Sequence, residues 1–319
     1  MYTTGLIIFY FFSTVFAQNC GSGIGSCGAG NCCSKFGWCG SGSAWCGTGC
    51  QPQFGRCDAL SAPPPSSTST TTVATSTTTR TTTTSSSTTT PTSTPAAISV
   101  VTKCSVPGTV AITFDDGPYI YMQDIINQFD AAGGKATFFV NGFNYDCIYD
   151  QANVLLSAYR KGYQIGSHTW AHDDITTLTS SQLTADANKL RTAFVKILGA
   201  NPTYFRPPYG SYNAGNVATL GTFGFRKFVL WDIDSGDSIG SSIAQQQSQY
   251  NSASTGTSHI FLQHETHQST VQQMVPFIIN WAKSRGLKMV TVGQCLGDPQ
   301  SNWYNSITTP ETRNPTWTC

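Results

Sequence analysis

A long run of serine and threonine divides this chain into two parts of very different composition. Residues 61–95 are about three-quarters Ser and Thr, interrupted by prolines and by one charged side chain, Arg80. Because such a segment has almost no apolar surface to bury, it cannot form a core and is expected to be extended. We therefore predict an O-glycosylated linker over residues 61–97, with separately folded parts before and after it.

The overall composition excludes some partners and indicates an oxidising compartment. The formal net charge is +1 and 10% of the residues are charged, which argues against nucleic acid or an anionic membrane as a partner. The 12 cysteines are even in number, as expected for a secreted protein with disulfide bonds. A short apolar run followed by Val15-Phe16-Ala17 predicts a signal peptide over residues 1–17, although no basic residue precedes it. We thus expect a secreted protein without a membrane anchor.

Eight of the cysteines lie between Cys20 and Cys57, in a segment with almost no aliphatic side chains. Such a segment cannot build a hydrophobic core, and disulfides are favoured over a zinc site because it contains no histidine. Its aromatic rings have little interior to occupy, so they either pack over the disulfides or present flat faces that suit sugar rings, with a serine hydroxyl to bond an acetamido carbonyl. The candidate sugar-binding residues are Ser34, Phe36, Trp38 and Trp45.

The spacing of these cysteines resembles that of hevein-type chitin-binding modules, and residues 34–39 match the sugar-binding stretch of that family. The resemblance implies that residues 18–60 bind chitin, and so associate the protein with a chitin-containing cell wall. It also implies four disulfide bonds, which pair Cys20 with Cys33, Cys27 with Cys39, Cys32 with Cys46 and Cys50 with Cys57.

After residue 97 short apolar runs alternate with amphipathic segments. Strands are predicted near residues 110–114, 136–140, 164–167, 203–206, 227–231, 259–263 and 288–292. The clearest helix begins near Ser180, carries apolar residues at helical spacing and ends at Gly199. This alternation predicts an α/β fold over residues 98–319, in which a parallel sheet closes or nearly closes into a barrel.

Four further cysteines lie in this part of the chain and can form two disulfide bonds. Pairing Cys104 with Cys295 would join the first and last strands and leave Cys147 with Cys319. The other pairings stay open, because sequence does not determine disulfide connectivity.

Polar side chains follow the predicted strands at their C-terminal ends, where parallel barrels place their active sites. Asp115 and Asp116 end the first strand. Two adjacent carboxylates repel each other unless a cation lies between them, so one would bind a metal and the other would stay free as a base. A plain strand-to-turn corner is the alternative, since Asp-Gly is a common turn pair.

Two histidines, His168 and His172, follow the third strand. Four residues apart on one helical turn, they would share a face and could chelate one cation through neutral nitrogens. Solvated or core-packed histidines are the alternative, but the chain contains only five histidines.

The later strands end in further polar groups. After the fourth, Arg206 precedes two prolines that fix the backbone and leave the amide of Tyr209 free to point at a substrate oxygen. Arg206 could hold a carboxylate by two parallel hydrogen bonds. Asp234 and Asp237 follow the fifth strand. His264 is a polar residue at the point where the apolar run of the sixth strand ends.

Five motifs in this order resemble those of the polysaccharide deacetylases of the NodB-homology type, carbohydrate esterase family 4: Thr-Phe-Asp-Asp-Gly, His-Thr-Trp-Ala-His, Arg-Pro-Pro-Tyr, Asp-Ser-Gly-Asp and Phe-Leu-Gln-His. The resemblance covers nearly all of residues 100–297 and implies a distorted (β/α) barrel with seven or eight strands. It implies a divalent metal bound by Asp116, His168 and His172. It also implies catalytic roles: Asp115 as base, His264 as acid, the Tyr209 amide as oxyanion donor and Arg206 as the residue that orients Asp115.

Two details depart from the family pattern or stay open. The fourth motif usually ends in a tryptophan after its second aspartate, and this chain has Ser238 there, which leaves part of the apolar wall near the acetyl group in question. The support for His264 could come from either Asp234 or Asp237.

Together the two resemblances predict a secreted, metal-dependent chitin deacetylase that acts on chitin or N-acetylglucosamine oligomers and yields chitosan and acetate. The expected cofactor is one divalent ion, zinc or cobalt before manganese, and the expected state is a monomer. An acetylxylan esterase or a peptidoglycan deacetylase is one alternative, since the barrel motifs also occur in those enzymes. A chitin-binding wall or shielding protein with an inert barrel is the other, although every expected metal and acid–base position carries a competent residue.

Overall fold

The computed structural model describes residues 20–22, 25–33, 39–40, 46, 50–57, 98–254, 256–305 and 307–319. The chain separates into two compact units, residues 1–87 and 88–319. The boundaries given above for the signal peptide, the module and the linker stay predictions. The predicted sugar-binding residues lie outside the described residues: Ser34, Phe36, Trp38 and Trp45.

Disulfide bonds hold the described part of the first unit. Its two short strands, β1 (Cys32–Cys33) and β2 (Cys39–Gly40), pair in antiparallel fashion. The bonds join Cys20 to Cys33, Cys27 to Cys39, Cys32 to Cys46 and Cys50 to Cys57. These are the pairs that the hevein-type resemblance implies. Because all eight thiols are used, the alternative of a zinc site in this segment is excluded.

A curled sheet of parallel strands forms the frame of the second unit. In the order in which they pair, the strands are β10 (Ile233–Asp234), β11 (His259–His264), β4 (Thr109–Asp115), β5 (Thr137–Val140), β6 (Gln164–Ser167), β8 (Tyr204–Phe205), β9 (Lys227–Val229) and β3 (Ser99–Val101). A ninth strand, β12 (Lys288–Val290), pairs with β4 as well. Two further strands, β7 (Asn201–Pro202) and β13 (Tyr304–Asn305), form a separate antiparallel pair.

Helices alternate with these strands and cover the sheet. They are α1 (Met122–Ala132), α2 (Ala152–Arg160), α3 (Ser180–Leu198), α4 (Ala214–Gly221), α5 (Ile243–Ser252), α6 (Val275–Ser284) and α7 (Val292–Cys295). Each side chain that is fully buried between helix and sheet, such as Phe129 of α1, stabilises the fold by roughly 1.5–3 kcal/mol. Within the part of the chain that the structure describes, no helix is long and apolar enough to cross a membrane.

The predicted α/β fold is confirmed, and the parallel sheet expected to close or nearly close into a distorted barrel is a curled half-barrel of nine strands among the described residues. The helix expected near Ser180 begins there behind a Thr179 capping box, and it ends at Gly199, whose φ of 66° is left-handed. The seven predicted strands are present, but the last one ends at Val290 because Thr291 caps α7. Strands β3, β7, β10 and β13 are additional, and their two or three residues are too few to produce a periodic signal.

The remaining cysteines pair Cys104 with Cys295 and Cys147 with Cys319. The pairing suggested from the sequence is therefore confirmed. The expectation that the first bond joins two strands directly is wrong, because Cys104 follows β3 and Cys295 lies in α7. The direct pairing of β12 with β4 makes that connection instead.

Candidate active site

Two adjacent carboxylates stand where β4 ends. Asp115 is its last residue, and Asp116 follows with a left-handed φ of 72°. As a result both side chains approach His168, whose Nε2 is 3.7 Å from Asp115 Oδ2 and 3.7 Å from Asp116 Oδ1. The next residue must be glycine, because a Cβ at Gly117 would overlap the carboxyl group of Glu265. The Asp-Gly corner thus brings two carboxylates to one site.

His168 and His172 come together through a loop and not through the helical turn expected from their spacing. The backbone is left-handed at Thr169 (φ 69°) and at His172 (φ 60°), and the two imidazole centroids are 5.0 Å apart. The expectation of a helical turn is wrong because the Asn141 side chain donates hydrogen bonds to the backbone carbonyls of His168 and Thr169. These tertiary bonds hold the loop in a conformation that local spacing does not encode.

Asp116, His168 and His172 have the properties of a metal-binding set, with ligand atoms within 4.8 Å of one another. Asp116 Oδ1 is buried without a hydrogen-bond partner among the described residues, 3.2 Å from His172 Nε2. His168 Nδ1 lies 2.8 Å from the backbone oxygen of Arg206, which favours a tautomer with a lone pair on Nε2. Burial lowers the pKa of both histidines, that of His168 well below its usual value, so both rings are neutral as ligands must be. The set fits a divalent ion that accepts nitrogen and carboxylate oxygen.

Arg206 is fully buried and holds the carboxylate of Asp115. Its Nη1 donates to Asp115 Oδ1 at 2.8 Å and to Thr113 Oγ1 at 2.6 Å. Its Nε and Nη2 donate to the backbone oxygens of Val229 and Leu230, both at 3.1 Å. The expectation that Arg206 holds a carboxylate by two parallel hydrogen bonds is therefore wrong. The other donors of the guanidinium bind backbone oxygens at the end of β9. One oxygen of Asp115 is left without a bond to the arginine.

His264 ends β11 directly beside Asp115, since the two residues are partners in the parallel register. Its Nδ1 is 2.7 Å from Asp237 Oδ1, and its backbone N–H donates to Asp237 Oδ2 at 2.8 Å. Asp234 instead accepts the N–H of Gly236 and is exposed. Of the two aspartates considered from sequence, Asp237 is the one that supports His264.

Burial and neighbouring charges set the ionisation of the two central groups. Burial raises the pKa of Asp115 to about 6, although the charge of Arg206 opposes this rise. Burial by itself lowers the pKa of His264, but the hydrogen bond and charge of Asp237 outweigh it and raise the pKa to about 9. The site thus holds an acceptor and a donor of protons whose pKa values lie on either side of neutrality.

Tyr209 occupies a tight turn with a left-handed φ of 61°. The backbone hydrogen bonds of this turn are donated by Gly210 and Ser211, so they do not use the Tyr209 N–H. The Tyr209 ring packs edge-on against His172, with 4.7 Å between centroids, which places the turn beside the metal-binding set.

The chain is similar to known proteins over the region that contains this site. A family model described as "Polysaccharide deacetylase" matches residues 102–228. A chitin deacetylase from Pestalotiopsis sp is 44% identical over 214 residues, which are 65% of this chain and 70% of that protein. The chain belongs to the polysaccharide deacetylase family. A probable peptidoglycan-N-acetylglucosamine deacetylase from Arthroderma benhamiae is 38% identical over 229 residues, 68% of this chain and 51% of that protein.

The fold of this polysaccharide deacetylase also matches a solved structure of the family. The chitin deacetylase from the fungal pathogen Colletotrichum lindemuthianum superimposes with a TM-score of 0.63 at 33% identity, over 66% of this chain and 97% of that one. The family resemblance stated from the five motifs is therefore confirmed.

Two residues of the site were not predicted from the sequence. Asn141 is buried and bonds the histidine loop, and Glu265 is fully buried with Oε1 accepting the N–H of Tyr119 at 3.0 Å. Burial raises the pKa of Glu265 well above its usual value, and the hydrogen bond from Tyr119 ties this side chain to the turn after β4. Both positions follow strand ends, which is the one pattern that could have drawn attention to them. Ser238, where the family usually has tryptophan, is exposed.

Proposed function

We propose that this polysaccharide deacetylase is a secreted, metal-dependent chitin deacetylase that releases acetate from N-acetylglucosamine units. The observation that carries the proposal is the convergence of Asp115, the metal-binding set and the His264–Asp237 pair at one end of the barrel. Chitin as substrate is supported by the two chitin deacetylases described above and by the predicted hevein-type module. Six disulfide bonds support secretion.

The residues at the site supply the steps of amide hydrolysis. A divalent ion held by Asp116, His168 and His172 would supply a Lewis acid that polarises the acetyl carbonyl and acidifies water. Asp115, oriented by Arg206, takes the proton of the attacking water. The Tyr209 N–H donates a hydrogen bond to the oxyanion.

His264 completes the reaction as the general acid. Its Nδ1 is bonded to Asp237, so Nε2 is the nitrogen that can give a proton to the departing amine. Protonation is needed because an amide nitrogen leaves poorly as an anion. Asp237 stabilises the charged imidazolium before that transfer.

The other acetylated polysaccharides are a second candidate substrate class. The Arthroderma benhamiae relative carries the name of a probable peptidoglycan deacetylase, and it shares 38% identity with this chain. Acetylxylan is the third polymer that the barrel motifs allow. In either case the predicted chitin-binding module would only locate the enzyme.

The test is acetate release from N-acetylglucosamine oligomers by the purified full chain, with peptidoglycan and acetylxylan in parallel. We expect release from chitin oligomers, its loss after treatment with a chelator, and its return with zinc or cobalt and less fully with manganese. D116A, which removes a ligand, should not recover with any of these ions. Absence of release with every metal, together with retained chitin binding, would favour the inert binding protein.

A further inference from the structure

One half-buried carboxylate outside the groups that carry the proposed chemistry is bonded to the loop of the metal ligands. Asp186 lies in α3, and its two carboxylate oxygens accept the backbone N–H of Trp170 at 3.1 and 2.9 Å. Trp170 stands midway between His168 and His172 in the sequence. Burial raises the pKa of Asp186 to about 6, so its surroundings disfavour the charge that it carries at neutral pH.

The histidine loop needs support because its backbone is strained. Thr169 and His172 both have a left-handed φ, which is unfavourable for residues other than glycine and most unfavourable for a β-branched one. Such conformations persist only where the surrounding structure determines them. The His168 end is held through Arg206 and Asn141. His172 donates its N–H to Thr169 Oγ1 at 3.0 Å within the loop, and Trp170 is the residue between them that is bonded to α3.

The backbone N–H, the backbone carbonyl and the indole ring of Trp170 all make contacts that fix its position. Its N–H is bonded to Asp186, and its carbonyl accepts the N–H of Phe143 at 2.7 Å. Its indole packs where a side chain on Gly142 would lie, and Lys189 Nζ stands 4.1 Å from the ring. Asp186 and Lys189 are one turn apart on α3, so this helix holds both the amide and the ring.

We propose that Asp186 is a positioning residue for metal binding, which acts on the ligands through the amide of Trp170. The inference rests on the proposed function, because it assumes that the ion site described above is used. Without the carboxylate, the buried N–H of Trp170 has no acceptor, and the adjacent peptide can rotate to relieve Thr169. His172 then loses its place beside Asp116.

The experiment measures Zn²⁺ affinity of the metal-free full chain by competition with a chromophoric chelator. We expect D186A to weaken Zn²⁺ binding about 10-fold or more, as found when groups that orient metal ligands are removed. D186N keeps an oxygen that can accept the Trp170 N–H and should recover most of that loss. The visible spectrum of the Co²⁺ form should change in D186A, because the His172 ligand is displaced.

A matched control is D298A, since Asp298 is also half-buried and accepts hydrogen bonds from Tyr204 and Asn302 away from the loop. It should change the melting temperature of the metal-free chain without changing Zn²⁺ affinity or the Co²⁺ spectrum. Equal losses of affinity in D298A and D186A at equal loss of stability would overturn the positioning role.

The remaining outcomes separate this inference from the proposed function. Zn²⁺ binding that is lost in H172A but stays within about twofold of wild type in D186A would overturn the role of Asp186 alone. Zn²⁺ binding that is absent from the wild type, or unchanged in H172A, would overturn the metal site and the inference with it.

Discussion

The ionisation of Asp115 and His264 determines the pH range in which the proposed reaction can proceed. The base must be deprotonated, which requires a pH above its pKa of about 6, and the acid must be protonated, which requires a pH below about 9. We therefore expect a bell-shaped profile of kcat/KM between these values. A cation at Asp116 favours the charged form of Asp115 and would move the acidic limb to lower pH.

The aspartate that supports His264 can be identified from the alkaline limb of this profile. D237N removes the charge that raises the pKa of His264, so the alkaline limb should move down by about one pH unit or more. D234N is the control, because Asp234 accepts the Gly236 N–H and has no hydrogen bond to His264 among the described residues. Its replacement should leave the alkaline limb in place. A shift in D234N and none in D237N would reverse the assignment.

The role of His264 as the acid can be tested with two leaving groups. H264A should reduce kcat/KM for amide deacetylation by about 100-fold or more, since the amine cannot leave unprotonated. Hydrolysis of 4-nitrophenyl acetate should fall much less, because 4-nitrophenolate leaves without a proton. Equal losses for both substrates would show that His264 is not the leaving-group acid.

At the scale of the elements, the strands deliver the site residues and the turns after them set their geometry. Asp115 and His264 are neighbours simply because β4 and β11 are parallel and in register. The position of Asp116 depends instead on the turn at Gly117, which packs against the buried carboxyl group of Glu265. The site is therefore as sensitive to this packing as to the motif residues.

Replacement of Gly117 tests that dependence. G117A places a methyl group where the Glu265 carboxyl lies, and overpacking of this kind costs about 1–3 kcal/mol in the free energy of unfolding. G221A is the matched control: Gly221 lies in α4 with ordinary contacts around a new Cβ, so it should be neutral or stabilise by about 0.5–1 kcal/mol. Urea denaturation of both variants provides the measurement, and an unperturbed G117A would contradict the packing argument.

At the scale of the whole molecule, the proposed function joins a catalytic unit to a predicted chitin-binding module through a predicted linker. Docking of the module on an insoluble polymer raises the local concentration of the catalytic unit near its substrate. A chain truncated to begin near Ala97 should therefore lose activity on crystalline chitin and keep its activity on soluble oligomers. Rates of acetate release on the two substrates check this, and equal activity of both chains on crystalline chitin would argue against the role of the module.

The sequence by itself determined the α/β class, the order of the strands along the chain and the residue types that gather at their ends. Alternating apolar runs are a local signal, and parallel strands bring their C-terminal ends to one edge whatever lies between them. For this reason Asp115, Asp116, His168 and His172 could be expected at one edge of the sheet, and the resemblance to the polysaccharide deacetylases implied that Asp116, His168 and His172 bind a metal.

Only the tertiary structure decided which partner each of these residues has. The choice of Asp237 over Asp234, the single hydrogen bond from Arg206 to Asp115 and the non-helical histidine loop all depend on contacts between segments far apart in the chain. The position of a residue along its strand determines the end of the sheet at which its side chain lies. The rotation of a loop, by contrast, is determined by the donors and acceptors that neighbouring strands and helices place against it.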